Sequence, residues 1–293
     1  MIHFSVVIPT LNSSTLARTL LALEHQTVDS AKVEVIVIGM DEQLKFNEWV
    51  KFYPTGHRLF PGAARNQGVA HASGDVVAFT DSDCLPEPNW LAVLAERFGD
   101  PAVTVVGGGV AFKAENYWTL ADNIGMFHEY LTSLPPGHRE QLPSLNLAIR
   151  RRVFLDVGGF DEKRRTGEDS DLTIRLRQKG HVLHFEPRAV VIHAPPRNRA
   201  ADLFRHNFLH GQHSVKFDPR YGNEQALHQQ LLHTRWGVAL ASPLLAAGVT
   251  VRMFLSDRSL WRYWYTAPAI FLSKLVWCFG AAARPDERIK NAR

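Results

Sequence analysis

PGAARNQGVAHASGDVVAFTDSD, residues 61–83, carries two turns, a short helix and a strand that halts at a pair of aspartates. The glycine at Gly62 opens a short polar helix holding Arg65 and Asn66, and Gly74-Asp75 supplies a second turn. The apolar run Val76-Val77-Ala78-Phe79 then stops at Asp81-Ser82-Asp83. A continuous apolar run suits a strand buried on both faces of a parallel sheet. Open sheets of that kind place ligands just beyond the carboxyl ends of their strands. Two carboxylates at that spot fit a cation and the phosphates or hydroxyls of a ligand. The plain alternative is a solvated turn at a strand end.

Working outward, FSVVI (residues 4–8) is a compact first strand, ended by Pro9-Thr10 and a polar loop through Asn12. Leu16, Leu20, Leu21 and Leu23 give helical spacing over residues 15–26, and VEVIVI (33–38) is the next strand. Strand, helix and strand at this spacing form a βαβ unit with a right-handed crossover. The pattern predicts a third strand at 58–60, a helix at 89–98 and a strand at 103–110, so residues 1–110 read as an open α/β half suited to a nucleotide. Residues 116–131 are aromatic-rich and helical, and 134–143 form a proline-containing loop. The stretch LNLAIRRRVFLDVGGFDEKRRTGEDSDLTIRLRQKGH (145–181) reads as strand, short helix, glycine stop and longer helix. That last helix opens Gly167-Glu168-Asp169-Ser170-Asp171, with carboxylates where the helix dipole favours them. Two short strands at 181–185 and 189–193 follow, and Pro195-Pro196 ends the pattern.

The chain of 293 residues is 45% hydrophobic and 21% charged, which supplies a sizeable core and argues against wholesale disorder. A net charge of +4 suits anionic small molecules or an anionic membrane surface. Dense basic runs interleaved with stacking aromatics are missing, which argues against nucleic acid as a partner. The two cysteines, Cys84 and Cys278, lie far apart and suggest a reduced, cytosolic compartment. The opening MIHFSVVIPTLN reads as a first strand and not as a signal peptide.

From Arg197 the composition changes. Residues 199–215 form a basic helix with His206, His210 and His213 on one face, a spacing that suits a polar face better than a metal site. Residues 236–251 are apolar and uncharged, while 263–283 are interrupted by Pro268 and Lys274, and Arg252, Arg258, Arg262 and Arg284 flank these runs. Interfacial or re-entrant helices at an anionic membrane surface are the preferred reading, a core or oligomer-forming helical pair is the plain alternative, and a true span stays open if the helices pair.

Taken together, these motifs resemble a family 2 glycosyltransferase with a GT-A fold: a mixed, mostly parallel α/β sheet flanked by helices. The resemblance runs through Ser5-Val6-Val7-Ile8-Pro9-Thr10-Leu11-Asn12, then Gly62-Ala63-Ala64-Arg65-Asn66-Gln67-Gly68, Ala72-Ser73-Gly74-Asp75 and Phe79-Thr80-Asp81-Ser82-Asp83. It closes with Val157-Gly158-Gly159-Phe160-Asp161-Glu162, Gly167-Glu168-Asp169-Ser170-Asp171-Leu172 and His193. It implies a glycosyltransferase domain over 1–196, with an acceptor half at 111–196, and a membrane-associated helical region over 197–293. It also implies transfer of a sugar from a nucleotide-diphosphate donor, with inversion, to a glycan or lipid-linked acceptor. Mn²⁺ or Mg²⁺ is the implied cofactor, held by Asp83 with His193. Asp81, Arg65, Asn66, Pro9, Thr10 and Asn12 fall on the donor side. Asp169 matches the family's base, and Glu168 beside it orients a sugar.

One departure stands out. The family's second strand usually ends in an acidic pair that reads the nucleotide, whereas here it ends Ile38-Gly39-Met40-Asp41, leaving Asp41 two positions late. The departure leaves the base open and motivates a second reading, a donor-binding or scaffolding protein with weak turnover. The expected location is cytoplasmic, peripheral on the inner face of the membrane. A phosphatase of the haloacid-dehalogenase type also places paired aspartates after a strand, but near its N-terminus, with Thr or Val where Leu85 stands here.

Overall fold

The computed structural model describes residues 2–29, 32–42, 44–113, 116–214 and 234–283. Strand β1 (Phe4–Leu11) leads through α1 (Leu16–Glu24) to β2 (Val33–Met40) and β3 (Val50–Pro54). Helix α2 (Pro61–His71) begins on a proline, whose fixed φ and missing N–H cost nothing in a first turn. Then come β4 (Val76–Thr80), β5 (Cys84–Pro86), α3 (Trp90–Phe98), β6 (Val105–Ala111) and α4 (Tyr117–Phe127). Strands β7 (Gly137–His138) and β8 (Asn146–Arg150) precede α5 (Arg151–Asp156), α6 (Glu168–Gln178) and β9 (Leu183–His193). Helices α7 (Ala200–Gln212), α8 (Arg235–Ser256) and α9 (Ala267–Ala282) follow among the described residues, with a 3₁₀ segment at Arg258–Thr266.

Two expectations change. The third strand lies at Val50–Pro54, not at 58–60, which form no strand. The two strands expected at 181–185 and 189–193 are one eleven-residue strand. Its pairing with β6 slips between Gly108 and Gly109, opposite Glu186 and Val190, so the turn-like Glu186-Pro187-Arg188 is a bulge.

Two compact units divide the chain: residues 1–113 with 129–196, and residues 114–128 with 197–293. Inside the second unit, Asp122 on α4 is buried and accepts hydrogen bonds from Arg197 Nη1 (2.8 Å) and Asn207 Nδ2 (3.2 Å), with His206 Nδ1 at 3.0 Å. Burial alone would raise the Asp122 carboxyl, but His206 and Arg197 hold it well below the usual carboxylate range. The His210 ring lies 4.5 Å from that of His206, and burial pushes its imidazole down to about 3. His206 and His210 therefore join a polar cluster around buried Asp122, while His213 is half-buried further along the helix; Val215 and Arg284 lie outside the described residues.

Helix α8 runs on past the uncharged stretch, through Arg252, to 22 residues. Val238, Ser242, Ala246, Thr250 and Met253 are buried, yet Trp236, Leu240, Leu244, Val251 and Leu255 form an exposed ridge on the same helix. By length and apolar composition Trp236–Ser256 and Arg258–Ala282 are each long enough to cross a membrane.

The first unit is built on one nine-stranded sheet whose main path runs β3-β2-β1-β4-β8-β6-β9-β5, with β7 beside β9. Strands β3, β2, β1 and β4 are parallel, β8 runs antiparallel between β4 and β6, and β6 and β9 are parallel again. The registers Thr80 with Asn146 and Cys84 with His193 bring one edge together. That edge holds the carboxyl ends of β1, β2, β4, β6 and β9 and the amino end of β8. Buried Val6, Val7, Ile8, Ile36, Val37, Ile38, Val77 and Phe79 make the sheet's own core.

Helix α2 lies close against this sheet because Gly68 has no side chain. A Cβ there would run into Val7 Cγ1 and sit 3.2 Å from Ile38 Cγ1, both on stiff, buried side chains. Gly68→Ala gains up to about 1 kcal/mol of helix propensity but overpacks the interface by about 1–3 kcal/mol. The expected net effect is destabilisation by about 1–2 kcal/mol, read as a lower urea midpoint at unchanged slope; an unchanged midpoint would show that the helix can back away from the sheet.

Candidate active site

At the edge assembled by the strand registers, β4 ends in Thr80 and the chain turns through Asp81-Ser82-Asp83, with the Cys84 N–H donating to the Asp81 carbonyl at 3.1 Å. The Ser82 carbonyl is held from below by hydroxyls of the first loop and helix: Thr15 Oγ1 at 2.7 Å and Thr19 Oγ1 at 3.0 Å. Nothing in the local motif announces these two threonines. Their signal is only that polar residues sit where α1 should be apolar, since Thr19 is fully buried. Asp81 and Asp83 project from this anchored turn, Asp81 30% and Asp83 19% exposed, open enough for a ligand to reach.

Arg65, from α2, is the second component. Its side chain is 2% exposed and donates through Nη2 to Asp81 Oδ1 at 2.5 Å and through Nη1 to Glu168 Oε1 at 2.8 Å. Burial alone would lower the guanidinium, but the charges of Asp81 and Glu168 raise it, so it stays cationic. Both arms of its fork are thus engaged by carboxylates from the two segments. Phe160 lies beneath it, with the guanidinium carbon 5.5 Å from the ring centre.

Glu168 and Asp169 open α6, and burial first, then the adjacent Asp169 charge, pushes the Glu168 carboxyl up to about 7 against the pull of Arg65. Asp169 accepts from the backbone N–H groups of Ser170 (2.7 Å) and Ser144 (3.3 Å), the latter just before β8. Burial also raises the Asp169 carboxyl, although those N–H groups and Arg65 oppose the shift. Asp171, by contrast, is fully buried and paired with Arg175 at 2.8 Å, which ties it to the fold of the helix.

Asp83, Cys84 and His193 gather at the end of β9. His193 is 4% exposed, its Nε2 lies 3.7 Å from Asp83 Oδ1, and the Ala194 N–H donates to the Asp83 carbonyl at 2.9 Å. One donor atom from each of the three residues falls within 4.8 Å of the others, a set that fits a divalent cation.

The remaining sequence-selected residues divide. Pro9 and Thr10 lie at the end of β1, and Thr10 Oγ1 is buried with no hydrogen-bond partner among the described residues. Asn12 takes a positive φ of 48°, its N–H donates to the Met40 carbonyl (2.6 Å), and its side chain receives the Glu42 N–H (3.2 Å). Asp41 accepts from the Leu44 N–H at 2.9 Å, so Asn12 and Asp41 both shape the loop after β2. Gly39 there has φ 138° and a close approach to the Thr10 carbonyl, room that a side chain would fill. Asn66 clamps Phe160 by both its backbone N–H and its carbonyl, each at 2.9 Å, and so secures the glycine stop.

A sequence profile described as glycosyl transferase family 2 matches residues 5–158. The pre-mycofactocin glycosyltransferase of Mycobacterium tuberculosis is 33% identical over 176 residues, which are 58% of this chain and 37% of that protein's own length. Glycosyltransferase AglE of Haloferax volcanii is 28% identical over 223 residues, 72% of this chain and 73% of AglE. Among solved structures, the mannosyltransferase PcManGT from Pyrobaculum calidifontis, in complex with GDP-Man and Mn²⁺, superposes with a TM-score of 0.59. That likeness covers 94% of this chain and 86% of PcManGT at 20% identity, and it shows the GT-A fold.

The raised Glu168 carboxyl has a measurable consequence. Native Glu168 holds its proton above its ordinary value of 4.5, so its contribution to stability is complete below that pH and is lost as pH rises through about 7. Glu168→Gln keeps an acceptor for Arg65 and removes the titration. The stability of the variant relative to wild type should therefore climb across that window in thermal melts, and a flat difference would refute the shift.

Proposed function

This chain belongs to glycosyl transferase family 2, and from that premise we propose that it transfers a sugar from a nucleotide-diphosphate donor, with inversion and with a divalent cation. The observation that carries the reading is the span of Arg65 from Asp81 to Glu168, which ties the carboxylates at the end of β4 to those opening α6. Single-step inversion needs a leaving-group site and a proton acceptor on opposite faces of one sugar. The β4 turn suits the first and Asp169 the second.

In this reading Asp83 and His193 hold Mn²⁺ or Mg²⁺, which supplies Lewis-acid stabilisation of the charge that grows on a departing diphosphate. Asp81 accepts hydroxyls of the donor, while Pro9, Thr10, Asn12 and Asp41 border the nucleotide, with Asn66 bracing that side. Asp169 removes the proton of the acceptor hydroxyl as the new glycosidic bond forms. Its two backbone hydrogen bonds fix the carboxylate in place, and its burial keeps it a stronger base than a free aspartate. Glu168 and Arg65 position rather than react.

The acceptor is a glycan or a lipid-linked saccharide, and the chain works from the cytoplasmic side as a peripheral protein on an anionic membrane. Support for the membrane comes from the exposed ridge Trp236, Leu240, Leu244, Val251 and Leu255, beside exposed Trp261 and Trp264. Exposed Arg252, Arg258 and Arg262 stand next to it. Apolar side chains and indoles in the interface, with basic side chains at the headgroups, match an interfacial helix.

Two measurements test these assignments. Asp169→Asn should leave donor affinity within about twofold and lower transfer by about 10²–10⁴-fold, the range for loss of a general base; unchanged transfer would remove Asp169 from the role. A wild-type chain that binds donor tightly yet neither hydrolyses nor transfers it would mark a donor-binding protein instead. For the membrane, replacing Trp236, Leu240 and Leu244 together by Ser should release the protein from phosphatidylglycerol vesicles in co-sedimentation, and equal binding would exclude that ridge as the anchor.

A further inference from the structure

We propose that Cys84 is a third protein ligand of the cation site and that its thiol turns the site toward zinc-class metals. The proposal rests on the cation reading of Asp83 and His193 and adds a donor to it. Neighbouring side chains on an extended strand point to opposite faces, which would separate Cys84 from Asp83. Here the turn closed by the Cys84 N–H on the Asp81 carbonyl, at 3.1 Å, breaks that alternation, and Cys84 Sγ lies 3.8 Å from Asp83 Oδ1.

Strand pairing brings in the third donor independently. Cys84 stands directly opposite His193 in the antiparallel β5–β9 register, and residues so paired project to the same face of a sheet. All three donor atoms lie within 4.8 Å of one another. Tetrahedral zinc with ordinary bond lengths sets its sulfur and oxygen about 3.6 Å apart and its nitrogen and oxygen about 3.4 Å apart. The observed 3.8 Å and 3.7 Å separations exceed these by only tenths of an ångström, and the sulfur and imidazole nitrogen, within 4.8 Å of each other, are left to close on the ion.

A carboxylate with an imidazole serves Mn²⁺ or Mg²⁺, but a thiolate added to that pair favours Co²⁺ and Zn²⁺. Three protein ligands leave a fourth position open, as in zinc sites that accept an exogenous ligand. Binding displaces the thiol proton to solvent, and the cysteine enters as thiolate. In the absence of donor this site takes Zn²⁺ over the hard cations, which makes zinc a competitor of the Mn²⁺ or Mg²⁺ form.

Cobalt reports thiolate ligation directly. Titration of the 293-residue chain with Co²⁺ should raise a near-ultraviolet thiolate-to-cobalt charge-transfer band in wild type and in Cys278→Ser. The band should vanish in Cys84→Ser and in Cys84→Ala, each checked for folding by circular dichroism. Zinc affinity should fall by at least about 100-fold in Cys84→Ser, the upper range seen when even outer-shell partners are lost. Mn²⁺ affinity, read by electron paramagnetic resonance, should stay within about threefold because the hard donors remain. Cobalt bound without the band, or zinc bound equally by Cys84→Ser, overturns the proposal while leaving the cation reading intact. Failure of Mn²⁺ and Co²⁺ alike to bind wild type in an Asp83-dependent manner overturns both.

Discussion

One buried guanidinium holds together two pieces of chain 103 residues apart. Arg65 comes from a helix near the start of the fold, Asp81 from the turn after β4 and Glu168 from the first turn of α6. Without the cation, three carboxylates, Asp81, Glu168 and Asp169, would face one another in a poorly solvated space, and breaking such an arrangement typically costs about 3–5 kcal/mol. A lysine would supply the charge but not a planar fork whose two arms reach different partners. The arginine thus sets the distance between the two halves of the site as well as neutralising them.

The rest of the site follows the same economy, in which rigid backbone aims flexible carboxylates. Threonine hydroxyls from the loop before α1 and from α1 itself hold the Ser82 carbonyl, which fixes the aspartate turn from its rear. Backbone N–H groups from two segments hold Asp169, and Asn66 holds the backbone at Phe160 beneath the guanidinium. Groups fixed in advance need no reorganisation when charge develops, which is where preorganised sites gain most.

How much of this was legible depended on the element. The strands β1, β2 and β4 were plain in the sequence because each carries consecutive buried apolar residues, Val6–Ile8, Val35–Ile38 and Val76–Phe79. β3 was not, since of Val50–Pro54 only Val50 is buried, while Lys51 and Pro54 are exposed. The long β9 read as two strands because Pro187 sits in its bulge. The residue types of the site were readable from the motifs, but Arg65 as the bridge was not, because two carboxylates distant in sequence give no local sign of sharing one cation. Likewise the hydrogen bonds by which Asn12 and Asp41 shape the loop after β2 depend on that loop's path and have no sign in the sequence. The pairing of Cys84 with His193 required a register, which a three-residue strand cannot announce.

Strand β8 has a further consequence, which concerns how the chain reaches its native state. It occupies the centre of the sheet, between β4 and β6, yet follows β6 in sequence by more than thirty residues. A ribosome releasing the chain in order therefore presents β4 and β6 with bare inner edges until residues 146–150 emerge. Such edges invite pairing with other chains, and long-range pairings slow folding. The middle of this sheet is sealed only when β8 emerges, and β6 keeps its other edge bare until β9 follows, so this late stage of synthesis is one at which the protein needs protection from aggregation.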